Sequence, residues 1–203
     1  LNWRYATKRY NGQSIPESSL NDILESIRLT PTSLGIQPFH VYVIENKEFR
    51  EKLKPALNNQ PQSTEASHIL VFAAWKSVTE AKVDEYVSLV AETRGVAIDS
   101  LAGFKSMVLG YLSKQSTDEI QLWASKQTYI ALGTAMVSAA SQQIDATPME
   151  GFSAPAVNEL LELDKHDLHA SVILALGYRD ATIDPLASAN KVRKPIHKLI
   201  DII

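Results

Sequence analysis

Two groups of basic residues near opposite ends of the chain could bind a phosphate. Arg4, Lys8 and Arg9 lie close together near the start, and Lys191 and Arg193 lie near the end. In an extended segment alternate side chains point to the same side, so Arg4 with Lys8, or Lys191 with Arg193, could contact one anion. Arginine holds phosphate through a bidentate fork, and lysine acts as a point charge. The alternative for each group is a solvated basic chain end.

Two loops could contact a ligand through their backbone atoms. The segment Thr30–Pro38 contains prolines, hydroxyl side chains and a glycine, a composition suited to hydrogen bonding at the edge of a heteroaromatic ring. The segment Pro148–Gly151 ends in a glycine, which would let a ligand approach the backbone closely. Ordinary turn chemistry explains the first loop as well, and a solvated loop acid is the alternative for Glu150.

Several other kinds of site are excluded by the sequence. The chain has no cysteine, which rules out disulfides, thiolate metal sites and cysteine nucleophiles. It lacks the glycine fingerprints of a Rossmann site and of a P-loop, the H-E-x-x-H zinc pattern and the G-x-S-x-G hydrolase pattern. His166 and His169 lie near acidic residues but fall in a loop before a strand, so we expect no metal.

Charge and hydropathy exclude two classes of partner. The formal net charge is −3 and the isoelectric point is about 6.0, so the basic excess typical of nucleic-acid-binding proteins is missing. No apolar run approaches the roughly 18 residues that a membrane-spanning helix needs. From Leu1 onward no basic segment precedes an apolar one, so no signal peptide is visible and we expect a cytoplasmic protein.

The spacing of apolar residues predicts an α+β fold in which helices predominate. The first helix begins near Ser14–Glu17 and ends before Pro31, with apolar residues spaced along one buried face. Strands are predicted at 39–44, 69–75 and 168–176, among about four in all. Further helices are predicted at 47–57, 79–94, 98–113, 118–142 and 154–163. The segment Thr147–Phe152 is predicted to break the long helix, and the chain is irregular from residue 179.

Two apolar segments predict a subunit interface. Within the longest helix, Tyr129–Ala140 is almost entirely apolar or small, and a helix that is apolar all round is typical of a buried position. The tail Ile196–Ile203 is also apolar. Together they exceed what a small monomer would cover, so we expect an obligate homodimer.

Taken in order, these segments resemble the motifs of the nitroreductase family. The segment Arg4–Arg9 is similar to its opening R-x-S-x-R/K motif, and Lys191–Arg193 to its terminal K-x-R motif. Thr30–Ser33, followed by Gln37–His40, is similar to the family's A/S-P-S/T-S…Q-P-W signature. Ala66–Phe72 is similar to its second strand, and Pro148–Phe152 to its P-x-E-G-F turn. The resemblance runs from residue 4 to about residue 195. It is closest to the branch of oxygen-insensitive bacterial nitroreductases and dihydropteridine reductases.

The resemblance implies a fold and an assembly. We expect one domain over 1–203, a three-layer α/β/α sandwich with a mixed, mainly antiparallel sheet. Two chains would form an intertwined homodimer with FMN at the interface, and the tail 179–203 would wrap around the partner and add a strand to its sheet. Residues 76–113 match poorly and would form the variable wall of the substrate channel, with Phe104 and Leu109 as candidates.

The resemblance also assigns residues to the cofactor. Arg4, Lys191 and Arg193 would hold the FMN phosphate, and Lys8 and Asn59 would lie at the pyrimidine side of the flavin. The backbone of Glu150 and Gly151 would lie near flavin N5. Further positions of these motifs expected at the cofactor are Tyr5, Pro148 and Met149, and the partner subunit would contribute Pro31, Thr32 and Ser33.

Two residues depart from the family pattern. Ala6 stands where the family has a serine, so one hydrogen bond to phosphate would be missing. Gln62 stands where a lysine is frequent, so one positive charge near the pyrimidine edge would be missing. Both changes should weaken FMN binding modestly, and neither removes the site.

The activity that the resemblance implies is electron transfer from NAD(P)H, through FMN, to a flat acceptor such as a nitroaromatic or a quinone. The flavin does the chemistry and Lys8 tunes it, so no catalytic residue is expected. Donor and acceptor would use one pocket in turn, giving ping-pong kinetics. The alternatives are a flavin-binding protein without turnover, and a family member that catalyses dehalogenation or flavin breakdown.

Overall fold

The computed structural model describes residues 1–203 and contains seven α-helices and four β-strands. In chain order the elements are α1 (Glu17–Arg28), β1 (Phe39–Ile44), α2 (Lys47–Leu53), α3 (Gln62–Glu65), β2 (His68–Trp75), α4 (Glu80–Arg94), α5 (Ala102–Leu112), α6 (Thr117–Ser141), β3 (Asp145–Met149), α7 (Ala154–Leu160) and β4 (Leu168–Gly177). Short 3₁₀ turns connect several of them. None of the helices combines the length and the apolar character needed to cross a membrane.

The four strands form one sheet in the order β1-β2-β4-β3. The central strands β2 and β4 are almost wholly buried, which explains their continuous apolar sequences. Every pairing is antiparallel, so the prediction of a mixed sheet is not met within one chain. A parallel strand would have to come from a second chain.

Strand β3 is the element that the sequence pattern misses. The sequence predicts that Thr147–Phe152 breaks the long helix, and the family resemblance implies a turn at Pro148–Phe152. The structure places Pro148 inside β3 instead. Because β3 is an edge strand paired only with β4, one of its sides needs no partner, and the proline is tolerated. The turn begins after Met149.

Helices cover both faces of this sheet. On one face, α1 and α6 pack against side chains that include Leu70 and Phe72 of β2. On the other face, α2 and α7 lie over Ile69 and Val71 of the same strand. Successive residues of a strand point to opposite faces, so a continuous apolar run supplies both cores. The predicted three-layer α/β/α arrangement is confirmed.

The predicted helix at 47–57 is shorter in the structure. It ends as an α-helix at Leu53, and Lys54–Leu57 forms a 3₁₀ turn. Pro55 lacks the N–H that would continue the α-helical hydrogen bonds. At the other end the Asn46 side chain accepts a hydrogen bond from the Phe49 N–H at 2.8 Å and caps the helix.

Helices α4 and α5 enclose a third core with the first half of α6. Phe104 and Leu109, the two candidates for the channel wall, are partly buried against this core, and the Phe104 ring lies 6.1 Å from that of Tyr86. The more exposed large side chains of α5 are Met107 and Tyr111. Met107 and Tyr111 lie three and seven residues after Phe104, which places them on its side of the helix and away from Leu109. They join Phe104 and Leu109 as candidates for a wall that faces a ligand, and the assignment of that wall stays a prediction.

Candidate functional site

Arg4 of the first basic group and both residues of the second, Lys191 and Arg193, line one pocket, whereas Lys8 and Arg9 do not. Its volume is about 430 Å³, and residues Asn2–Ala6 of the N-terminal arm form one wall. The other wall consists of Arg179, Leu186, Ala187, Ala189, Asn190, Lys191 and Arg193. The Lys191 Nζ donates a hydrogen bond to the Leu1 carbonyl oxygen at 2.7 Å, which joins the two walls directly. The structure thus brings Arg4, Lys191 and Arg193 together.

The Arg4 guanidinium is held at the wall of this pocket. Its Nη2 donates to the Ala146 carbonyl oxygen at 3.1 Å, while its Nε is buried without a partner. Burial lowers the pKa of Arg4, and the charge of Arg193 lowers it further. The pKa of Lys191 is lowered by desolvation and then by Arg193 and Arg4. Arg4 and Lys191 are thus positively charged groups in a repulsive environment, and an anion in the pocket would relieve that repulsion.

A buried ion pair lies beneath the N-terminal arm. The Asp145 side chain is almost fully buried, and Arg179 Nε donates to its two carboxylate oxygens at 2.9 and 3.0 Å. The Thr7 hydroxyl donates to the same carboxylate at 3.0 Å. Asp184, which is also buried, accepts a hydrogen bond from the Lys8 backbone N–H at 2.8 Å. These contacts fix the arm to β3 and to the C-terminal segment.

A second set of polar contacts lies beyond the other end of β3. The Gly151 carbonyl oxygen accepts hydrogen bonds from Asn58 Nδ2 and Gln60 Nε2, each at 2.8 Å. Asn58 and Asn59 both have a left-handed backbone with φ of 54°, which asparagine adopts more readily than most residues. Gln62 is 3% exposed, and its Oε1 has no hydrogen-bond partner. The loop 58–62 therefore lies against the turn after β3.

The same turn is tied to α6 by a side-chain hydrogen bond. The Tyr129 hydroxyl donates to Glu150 Oε1 at 2.7 Å. Burial raises the pKa of Tyr129 to about 12, and the Glu150 carboxylate contributes to this increase. Tyr129 therefore stays protonated at neutral pH and keeps its role as the donor, which restricts the Glu150 side chain.

The loop Thr30–Pro38 is well fixed within the chain. The Ser33 N–H donates to Gln127 Oε1 at 2.8 Å, and the Gln37 N–H donates to the Thr32 hydroxyl at 3.1 Å. Leu34 adopts a left-handed backbone with φ of 60°, a conformation that needs support from its surroundings. Neither Thr32 nor Ser33 lines the pocket between the chain ends.

Comparison with known proteins gives the family. Residues 1–178 match the family model of the nitroreductase family. The chain belongs to this family. A relative from Staphylococcus saprophyticus, provisionally named NAD(P)H nitroreductase SSP0379, is 37% identical over an alignment of 190 residues that covers 89% of this chain and 86% of the relative. The resemblance seen in the sequence motifs is therefore confirmed.

Solved structures show the same fold. A provisionally described NAD(P)H:FMN oxidoreductase from Staphylococcus epidermidis superposes with a TM-score of 0.86 at 20% identity, covering 100% of this chain and 93% of that one. A provisionally described nitroreductase from Exiguobacterium sibiricum, solved in complex with FMN, gives a TM-score of 0.81 at 20% identity, with coverages of 98% and 93%. The nitroreductase-like fold predicted from the sequence is confirmed.

In this nitroreductase-family chain, β3 connects the two groups of predicted site residues. The pocket at one end is lined by Arg4, Tyr5, Ala6, Lys191 and Arg193. At the other end Pro148 and Met149 complete β3 and lead into Glu150 and Gly151. A strand of this length spans roughly 14 Å at about 3.4 Å per residue, so one elongated ligand could reach both groups. Pro31, Thr32 and Ser33 belong to neither group, and their contribution to a partner's site stays a prediction.

Several residues of the candidate site were not found from the sequence. Arg179 follows β4, where only the change from apolar to polar residues was visible. Asn58 and Gln60 donate to the Gly151 carbonyl oxygen, whereas the resemblance named only their neighbours Asn59 and Gln62, at the pyrimidine side of the flavin. The polar run 58–62 predicted a loop, but no spacing rule indicates which side chains of an irregular loop turn inward.

Proposed function

We propose that the chain is a flavoprotein oxidoreductase that transfers two electrons from NAD(P)H, through FMN, to flat, electron-poor acceptors such as nitroaromatics and quinones. The observation that carries the proposal is the pocket in which Arg4, Lys191 and Arg193 converge and Arg4 Nε lacks a partner. Clusters of this kind suit a phosphate group, which accepts several charged hydrogen bonds at once. The provisional name of the Staphylococcus saprophyticus relative and the FMN complex from Exiguobacterium sibiricum support it.

The residues at the other end of β3 suit the polar edge of the flavin. Gln62 offers a buried, unpaired Oε1 that could accept a hydrogen bond from a ring N–H. We assign Asn59 and Lys8 to the pyrimidine side, where the charge of Lys8 would stabilise electrons added to the ring. The fixed turn at Glu150 and Gly151 would lie near flavin N5 and orient the ring there. Bound FMN supplies the exchange of two electrons between donor and acceptor.

We propose further that residues 1–203 form one domain and that two chains make a homodimer. Exposed apolar side chains on α6, such as Ile130 and Val137, support an interface there. The tail Ile196–Ile203 is exposed, and a groove of about 610 Å³ runs beside the edge strand β1, lined by Tyr42, Val43, Ile44, Phe49 and Leu161 among others. The tail of a second chain would occupy this groove. We place the protein in the cytoplasm, where NAD(P)H is available.

An absorption spectrum tests the proposed function directly. The purified protein should be yellow, and denaturation followed by chromatography should release FMN. Anaerobic addition of NADH or NADPH should bleach the flavin absorption. Release of FAD, or no flavin binding after reconstitution, would contradict the proposal. Bound FMN that neither nucleotide bleaches would favour a flavin-binding protein without turnover, and a panel of acceptors would detect dehalogenation or flavin breakdown.

Steady-state kinetics tests whether donor and acceptor share one pocket. The chain has no Rossmann fingerprint that could bind the nucleotide separately. Both substrates should therefore compete for one binding position, and double-reciprocal plots should give parallel lines. Nitroaromatics and quinones should both be accepted, since stacking on a flat ring requires little shape specificity. Intersecting lines would indicate a ternary complex and a separate nucleotide site.

A further inference from the structure

Arg179 connects the phosphate pocket to the N-terminal arm through two aromatic rings. The central guanidinium carbon lies 4.2 Å from the centre of the Trp3 ring and 4.5 Å from that of Tyr5. Guanidinium groups stack well on aromatic faces because they are flat and weakly hydrated. Arg179 is also tied to the buried carboxylate of Asp145 through Nε and Nη2. A cation that is anchored in the sheet thus holds two side chains of the arm.

In the sequence, Arg4 lies between Trp3 and Tyr5. Its Nη2 contacts Ala146, the neighbour of Asp145 on β3, so Arg4 and Arg179 bind adjacent residues of one strand. Trp3 is 41% exposed, and apart from its stack on Arg179 the arm before Tyr5 has few fixed contacts. The stack therefore restrains the segment that presents Arg4 to the pocket.

We propose that Arg179 is a positioning residue for the cofactor phosphate, acting through its stack with Trp3 and Tyr5 to hold Arg4 at the pocket. This inference rests on the proposed function, because it takes the anion to be the phosphate of FMN. Arg179 directs Nε and Nη2 at Asp145, and we assign the phosphate to Arg4, Lys191 and Arg193. Arg179 supplies the rigidity that keeps the first of these cations in place.

The variant Trp3→Leu tests this role without removing the buried ion pair. Dissociation constants are measured by fluorescence titration of the apoprotein with FMN and with riboflavin, which lacks the phosphate. Trp3→Leu should weaken FMN binding roughly 5- to 30-fold, somewhat less than the loss of a whole charged hydrogen bond. Riboflavin binding should be unchanged. Trp3→Phe, which keeps an aromatic ring for stacking, should restore most of the FMN affinity.

A double-mutant cycle with Arg4 identifies the route of the effect. In an Arg4→Ala background, Trp3→Leu should weaken FMN binding no further, because the residue that it positions is gone. Arg179→Lys, which keeps a charge for Asp145 but loses the flat stacking surface, should behave like Trp3→Leu if it folds. Equal losses of FMN and riboflavin affinity, or a Trp3→Leu effect that persists without Arg4, would overturn the proposal. If the wild-type protein bound neither flavin, the proposed function itself would fail.

Discussion

Arg193 and Lys194 are adjacent cations with different surroundings, so they form a matched pair of test sites. Arg193 lines the pocket and lowers the pKa of Arg4 and Lys191, whereas Lys194 is not part of the pocket wall. Arg193→Ala should weaken FMN binding by roughly 1.5–3 kcal/mol, the contribution of a hydrogen bond to a charged group. Lys194→Ala should change it by less than about 0.5 kcal/mol. FMN titrations of the two variants measure this difference. Similar losses of FMN affinity in both would mean that overall charge, and not a defined phosphate contact, determines the affinity.

His68 makes the stability of the fold depend on pH. The ring is almost fully buried at the start of β2, with Nδ1 2.8 Å from the Ser67 hydroxyl. Burial lowers the pKa of His68, the Glu45 carboxylate opposes this shift, and Arg50 reinforces it. The unfolded chain then binds a proton that the folded chain does not, so the free energy of unfolding should fall as the pH drops below about 6.5.

Urea unfolding between pH 8 and pH 5.5 measures this effect. The slope cannot exceed about 1.4 kcal/mol per pH unit for one histidine. His169 should contribute in the same direction, since burial and then Lys76 lower its pKa. His68→Asn should flatten the curve in part, and His166→Asn, at an exposed position, should not. A wild-type stability that is constant across this range would show that neither buried ring titrates on unfolding.

Whether a single site residue could be predicted depends on whether it belongs to a local sequence motif or is defined by long-range contacts. Arg4, Lys191 and Arg193 belong to short motifs whose order along the chain is visible in the sequence. Arg179 contacts Trp3 and Tyr5, and Asp184 contacts Lys8, in each case across more than a hundred positions of the chain. Long-range pairings of this kind leave no periodic pattern, so only the folded chain reveals them.

Helix α5 carries two side chains that should respond differently to truncation. Tyr111 is 49% exposed and, with Met107, Ser33 and Leu34, lines a cavity of about 470 Å³. Leu109 is partly buried against the core beneath α4 and α5. Tyr111→Ala should change the KM for aromatic acceptors while altering the free energy of unfolding by less than about 0.5 kcal/mol. Leu109→Ala should destabilise the protein by about 1–2 kcal/mol, less than a fully buried leucine, and leave KM unchanged. The reverse pattern would assign the channel wall to Leu109 instead of Tyr111.

Elements were predictable where one physical signal dominated. The buried strands β2 and β4 have continuous apolar sequences between polar loops, and α6 begins at a capping box of Ser116 and Glu119. Strand β3 was not predictable because it is short and contains a proline, so the local signals favoured a turn. It forms because β4 offers a pairing edge, a tertiary interaction that overrides local preference.

The assembly of the whole molecule can be tested at its C-terminal tail. The tail's exposed isoleucines should be buried by a partner, since apolar side chains at this density are rarely left in water. Ile200→Asp combined with Ile202→Asp should shift the protein from dimer to monomer in sedimentation velocity and lower its flavin content. Exchanging charges in the same tail, with Lys198→Glu and Asp201→Lys, should leave the dimer intact. A wild-type protein that is a folded, flavin-loaded monomer at micromolar concentration would refute the predicted dimer.

The joining of the two chain ends at one pocket also sets an order of events during translation. The contact between Lys191 and Leu1 spans 190 residues, and a ribosome needs roughly 10–40 s to synthesise such a length. All four strands are complete by Gly177, so the sheet can form before the second wall of the pocket exists. Cofactor capture should therefore follow translation. A chain that stopped between residues 177 and 191 would keep its core but could not retain FMN, so flavin content would report whether synthesis had passed residue 193.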